Sequence, residues 1–120
     1  MAYRIDIFDN HIVVIEKEKR FLIDTGSPIS ISDEAYIEAF NKSYKSRKTY
    51  HGANINEISN LVGCSLNALI GMDILANYVF QVDFDNNLFS LWDSLPVDIK
   101  KKEDYIDADF TGIPTIDVFI

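Results

Sequence analysis

The sequence holds one cysteine, three prolines and five glycines in 120 residues, and no long hydrophobic run. A single Cys64 excludes an internal disulfide and any cysteine-based metal site, so a buried free thiol is expected. With no cysteine pair, a reducing, cytoplasmic setting fits best. No apolar segment approaches the roughly 18–20 residues of a membrane helix. Met1 to Asp6 shows no basic region followed by an apolar stretch, so no secretory leader is expected. Positive charge is also scarce. The net charge is −8, with nine acids against eight bases over residues 1–72 and ten against three over 73–120. That balance argues against nucleic acid and anionic membrane as partners. Missing too are a G-x-G-x-x-G or Walker pattern and any His-x-x-x-His spacing. Nucleotide binding has no support, His11 and His51 read as incidental, and neither metal nor organic cofactor is expected.

What remains is the material of one small domain with a single core, 48% hydrophobic and 25% charged. Tyr3 to Phe8 alternates loosely as a strand and ends at the turn-forming pair Asp9-Asn10. Ile12-Val13-Val14-Ile15 is β-branched throughout and favours a second strand. The charged stretch Glu16 to Arg20 turns the chain, and Phe21-Leu22-Ile23 returns as a strand buried on both faces, running into Asp24. Ser32 with Asp33 and Glu34 predicts an N-capped helix over Asp33–Phe40, followed by a loop over 41–53.

Asn54 and Glu57 form a capping-box pattern ahead of Ile55, Ile58 and Val62, and Gly63 is suited to close that helix. Leu66 to Ile70 predicts a short strand, Asp73 to Tyr78 one or two helical turns N-capped by Asp73, and 79–84 with 88–92 a hairpin about Asp85-Asn86-Asn87. Trp92, Phe89 and Phe80 read as core or interface. The expected class is mainly β with short helices, with residues 1–95 as one lobe and 96–120 as a linker and terminal strand. Lys42, Lys45, Arg47 and Lys48, interleaved with Tyr44 and Tyr50, make the one basic cluster: a phosphate or acidic-peptide site, or a solvated loop.

The chemistry concentrates at Asp24-Thr25-Gly26-Ser27. A carboxylate at the end of a buried strand is held rigidly and projects into a cleft. Gly26 permits a tight turn with backbone N–H groups near that carboxylate. The hydroxyls of Thr25 and Ser27 are suited to orient it by hydrogen bonds. A second carboxylate alongside would share one proton with the first, because two adjacent charges ionise together only at high cost. Water between them is then activated to attack an amide carbonyl. All four residue types also form turns, so the tetrapeptide alone fits an ordinary strand-to-loop corner equally well. Ser27 lacks the G-x-S-x-G setting of a nucleophilic serine. Aspartyl-phosphate chemistry at Asp24 would want a lysine and further acids that no motif supplies.

A second segment adds weight. Phe21-Leu22-Ile23-Asp24-Thr25-Gly26-Ser27, followed by Ala68-Leu69-Ile70-Gly71-Met72-Asp73-Ile74-Leu75, resembles the paired signature of retropepsin-like aspartic proteases. The likeness spans roughly residues 3–92, with Val82-Asp83-Phe84 matching the next strand. It implies a retropepsin-like acid-protease barrel lobe with Asp24 as catalytic aspartate. It also implies that Thr25 bonds across to its counterpart in a facing lobe, that Gly26 and Ser27 hold the carboxylate, and that Leu69, Ile70 and Gly71 pack beneath the loop. The substrate would be a peptide or protein.

Only one such motif is present, since Asp93-Ser94-Leu95 lacks the glycine. A complete site therefore needs a second lobe, from a homodimer partner or from a missing C-terminal lobe. The family's flap has one candidate tip, Tyr50-His51-Gly52-Ala53. Arg4-Ile5-Asp6-Ile7-Phe8 is echoed by Thr115-Ile116-Asp117-Val118-Phe119, and Phe8 precedes Asp24 by sixteen residues. If the echo opens a second lobe, its Asp-Thr-Gly-like motif falls near position 135; otherwise residues 115–120 are a closing or dimer-forming strand. The competing function is a catalytically inactive binding or assembly module on the same fold.

Overall fold

The computed structural model describes residues 1–93, so the expectations placed on 94–120 lie outside the described residues. Three strands open the chain, β1 (Ala2–Phe8), β2 (His11–Glu16) and β3 (Lys19–Ile23), each antiparallel to the one before. Their connections are two-residue turns with positive φ at both residues, 49° and 67° at Asp9 and Asn10, 51° and 71° at Lys17 and Glu18. That backbone matches the twist of paired strands, which is why so short a link closes a hairpin.

The remaining elements are β4 (Ile31–Ser32), β5 (Tyr36–Ala39), β6 (Lys42–Lys45), α1 (Ile55–Val62), β7 (Ala68–Ile70), α2 (Met72–Leu75), β8 (Val79–Asp83) and β9 (Leu88–Trp92). The main sheet has the order β4-β7-β3-β2-β1-β9-β8, all pairs antiparallel except β3 with β7. The protein is thus mainly β with short helices, built on a mixed sheet. Among the described residues this order ends at β4 and β8 and does not close into a barrel.

Neighbouring residues of the central strands enter different apolar clusters. Val14, Phe21, Ala68 and Ile70 face one side with Phe40, Ile74, Leu75, Phe89 and Leu91; Val13, Leu22 and Leu69 face the other with Ile31, Ile55, Val62 and Leu66. Successive side chains of a strand point to opposite faces, so a continuous apolar run requires cover on both. The cover comes from β5–β6 and α2 on one side and α1 on the other. Each fully buried large aliphatic in these clusters is worth about 1.5–3 kcal/mol. The sheet's middle is therefore its most firmly held part, and Asp24 follows directly from it.

α1 forms as its sequence predicts. The Asn54 side chain accepts the Glu57 N–H while the Glu57 side chain accepts the Asn54 N–H, and Gly63 ends the helix at φ 96°. The expected helix over Asp33–Phe40 does not form. Ser32 Oγ does accept the Glu34 N–H at 3.1 Å, as an N-cap would. The next residues, however, alternate exposed and buried from Tyr36 to Ala39, and their period of two makes them β5.

Phe40 and Asn41, at φ 56° and 65°, turn the chain into β6, part of the stretch expected to be loop. β6 carries no apolar alternation, since its residues are exposed but for the half-buried Tyr44. The β5–β6 hairpin is joined to the main sheet beyond β6, where Ser32 N–H donates to Arg47 O at 2.9 Å and Arg47 N–H to Ser30 O at 3.1 Å. No helix among the described residues is long and apolar enough to cross a membrane.

Candidate active site

β3 delivers Asp24 to the edge of the apolar layer, where it is half-buried, as is Thr25, while Gly26 is exposed and Ser27 fully covered. Three bonds set the corner. Asp24 N–H donates to Ile70 O at 2.9 Å and Ser27 N–H to Asp24 O at 3.2 Å. Gly26 N–H donates to Asp24 Oδ1 at 2.9 Å, so a backbone donor holds the carboxylate as the glycine predicted.

The hydroxyls behave otherwise than expected. Ser27 Oγ donates to Ile29 O at 2.7 Å rather than to the carboxylate, because the side chain is turned into the protein. Thr25 makes no side-chain hydrogen bond among the described residues.

The second predicted segment lies alongside. Leu22 pairs with Leu69 and Ile23 with Ile70 in parallel register, while β4 lies on the far side of β7. The chain leaving β3 at Asp24 thus passes over the end of β7 before returning as β4. Met72 N–H donates to Ser27 O at 2.7 Å beneath this crossing. Gly71 is required there by space, since a β-carbon would sit 2.3 Å from Ile29 O and 2.7 Å from Ser27 O. Leu69, Ile70 and Gly71 are all buried; Ile70 O and the space at Gly71 meet the loop directly, while Leu69 lies in the apolar cluster on the other face from Ile70.

Two further residues take part, Ser30, which no motif names, and Asp73, in a role other than the expected one. Asp73, expected as an N-cap of α2, is not one; that position belongs to Gly71, which supplies no side-chain cap. The Asp73 carboxylate reaches across to the loop instead, accepting Ser30 N–H at 3.0 Å and Ser30 Oγ–H at 2.5 Å. Ser30 Oγ in turn accepts Gly71 N–H at 2.8 Å. The available signal was the alternation Ile29-Ser30-Ile31-Ser32, in which both serines are buried, Ser32 in β4 and Ser30 just before it.

Other candidates lie apart from this corner. Tyr50 and Ala53 exchange backbone hydrogen bonds around His51 and Gly52, at φ 53° and 81°, so the proposed flap tip is a tight turn. Its flanks form no strands. His11 Nδ1 bonds with Phe8 O at 3.1 Å, closing its own turn. The basic cluster lies on β6 and just beyond, where Lys48 Nζ donates to Asp33 O at 2.8 Å and Lys42 Nζ lies 5.6 Å from the Tyr78 ring centre. Phe89 is core, with Phe80 packed on it at 5.6 Å. An open groove of about 530 Å³ runs between β5 and the starts of β3 and β7, lined by Lys19, Phe21, Tyr36, Glu38, Asn67 and Ala68 among others, but not by Asp24.

Burial pushes the Cys64 thiol up from its usual range. The Tyr44 phenol is pushed up first by burial and then by its hydrogen bond with the Tyr78 hydroxyl. No group of three or more His, Cys, Asp or Glu side chains among the described residues is placed to hold a metal. No family model, curated protein or solved structure matches this chain.

Proposed function

We propose that this chain is one lobe of a retropepsin-like aspartic endopeptidase, with Asp24 as one of two catalytic carboxylates. The observation that carries this reading is the crossing at Asp24. A strand ending in Asp-Thr-Gly-Ser runs parallel to a strand ending in Ile-Gly, and the loop between is tied down by Asp24 N–H to Ile70 O and Met72 N–H to Ser27 O. Such bracing leaves a half-buried carboxylate at a fixed height above a rigid sheet, which acid–base work demands.

The second aspartate comes from a symmetric partner chain or from a second lobe. In that pair one carboxylate is protonated and one is not. The ionised oxygen takes a proton from water as the water oxygen attacks the peptide carbonyl carbon. The protonated partner donates a hydrogen bond to the carbonyl oxygen as it gains charge. Collapse of the tetrahedral intermediate expels the amine, which leaves with a proton from the pair. The hydroxyl of Thr25, which has no side-chain hydrogen bond among the described residues, is suited to a contact with the facing lobe. The mainly β lobe supports the retropepsin-like assignment, and a cytoplasmic setting accords with the lone cysteine.

One observation favours a second reading, an inactive binding or assembly module. The β5–β6 hairpin occupies the stretch after the Asp24 loop, where a flap is needed, yet Phe40 at its tip is 1% exposed and packed in the core. Digestion of a peptide library at acidic and neutral pH separates the two, with Asp24→Asn as control. The protease reading expects cleavage to fall about 10²- to 10⁴-fold in the variant. Equal cleavage by both proteins would remove Asp24 from the chemistry. Sedimentation adds the stoichiometry: an active protein without a second lobe must dimerise.

A further inference from the structure

A buried hydroxyl must find partners, and it offers one donor and two acceptor positions. Ser30 is fully buried. Its proton goes to Asp73 Oδ1 at 2.5 Å, its oxygen accepts Gly71 N–H at 2.8 Å, and its own N–H goes to Asp73 Oδ2 at 3.0 Å. Asp73 thus grips one residue with both carboxylate oxygens, a charge-assisted arrangement stronger and more directional than neutral pairs.

We propose that Ser30 and Asp73 are positioning residues for Asp24, fixing the far end of its loop to the segment that also fixes the near end. The proposal rests on the reading of Asp24 as a catalytic carboxylate. The loop from Asp24 to Ser30 has three anchors on consecutive residues of one segment. Asp24 N–H bonds to Ile70 O, Met72 N–H bonds to Ser27 O, and Ser30 bonds to Gly71 and Asp73. The first two are main chain and do not depend on the side chains of Ser30 or Asp73. Only the third is built from side chains, so truncating Ser30 or Asp73 weakens it and leaves the other two in place. Removing the Ser30 hydroxyl leaves the buried Gly71 N–H without its partner. Removing either side chain loosens the loop's hold on the segment at α2, while Arg47 N–H still donates to the Ser30 carbonyl oxygen. Gly26, whose N–H holds the Asp24 carboxylate, sits on that loop.

The test uses the full chain with Ser30→Ala, Asp73→Asn and Ser30→Thr, the last keeping the hydroxyl. Ile55→Val, in the apolar cluster on the other face, serves as a stability control. Two readouts are taken: the Gly26 amide by NMR, including its shift as Asp24 ionises, and steady-state hydrolysis of a peptide found in the library digest. The expected result is that Ser30→Ala and Asp73→Asn shrink the Gly26 response and lower kcat roughly 10- to 100-fold with KM little changed. Ser30→Thr restores both, and Ile55→Val alters neither. A Gly26 amide that behaves as in the natural chain in both loss variants overturns the proposal, because their effect would then be general destabilisation. Should the natural chain dimerise in sedimentation and still cleave nothing, the protease reading fails, while the Gly26 amide still decides whether the carboxylate is positioned from Ser30. If Ser30→Ala does not fold, the nearly isosteric Asp73→Asn carries the decision.

Discussion

A β-carbon on Gly71 would lie 2.3 Å from the carbonyl oxygen of Ile29, well inside any tolerable contact. The glycine's own φ of −103° is open to every residue, so the demand is for space and not for an unusual backbone. Gly71→Ala is therefore expected to push the Asp24 loop off β7 and to lower unfolding stability by about 1–3 kcal/mol or more. Urea denaturation measures it. A change below ~0.5 kcal/mol would mean that the loop moves aside freely.

Phe40 combines strain with burial. Its φ of 56° lies in the left-handed region, which costs a bulky residue about 1–2 kcal/mol. The ring nevertheless sits among Tyr3, Phe21, Tyr78 and Phe89 at centroid distances of 5.4–6.3 Å. Packing exceeds strain, since Phe40→Ala is expected to cost about 3–5 kcal/mol. Thermal unfolding should show it, with near-ultraviolet circular dichroism reporting the loss of aromatic order.

The capping box of α1 gives a smaller effect. Asn54→Ala removes the acceptor for Glu57 N–H, at 2.9 Å, and is expected to lower stability by about 1 kcal/mol. Asn54→Ser keeps an acceptor and should recover most of that loss in the same denaturation experiment.

Tyr44 makes the high-pH limit of stability specific. Its phenol ordinarily ionises near 10.0, and burial followed by the Tyr78 hydrogen bond raises it in the folded chain. The folded state then holds a proton that the unfolded state releases. Its contribution is complete below the ordinary value of 10.0 and is lost as pH climbs through the raised one. Stability should fall above pH 10.0, and Tyr44→Phe should flatten that fall. Denaturation midpoints across the range, with tyrosinate absorbance, provide the check. An unchanged slope in Tyr44→Phe would assign the alkaline loss to other groups.

Local signals in the sequence were legible where one element fixes itself. The first hairpin, the α1 capping box, Gly63 and the hairpin joining β8 to β9 all rest on residues within a few positions of one another. Ser32 misled because its hydroxyl makes the expected local bond, while the alternation of Tyr36 to Ala39 decides the longer segment. Asp73 misled for a different reason. An acid in the first turn of a short helix reads as a cap, but its partner Ser30 lies 43 residues away and only the fold brings them together. The candidate site was legible as two motifs, Asp24–Ser27 and Leu69–Gly71. The side-chain tie between their neighbourhoods was not.

The parallel pairing of β3 with β7 also sets an order of assembly. β1, β2 and β3 are linked by two-residue turns, so their contacts close quickly and at small entropic cost. Phe21 meets Ala68 only after everything between them has been gathered in. A nascent chain short of β7 therefore has Asp24-Thr25-Gly26-Ser27 at the end of a formed meander, with no carbonyl to take the Asp24 N–H. The corner is expected to take its shape only once β7 is in place, because the carbonyl that accepts the Asp24 N–H belongs to Ile70.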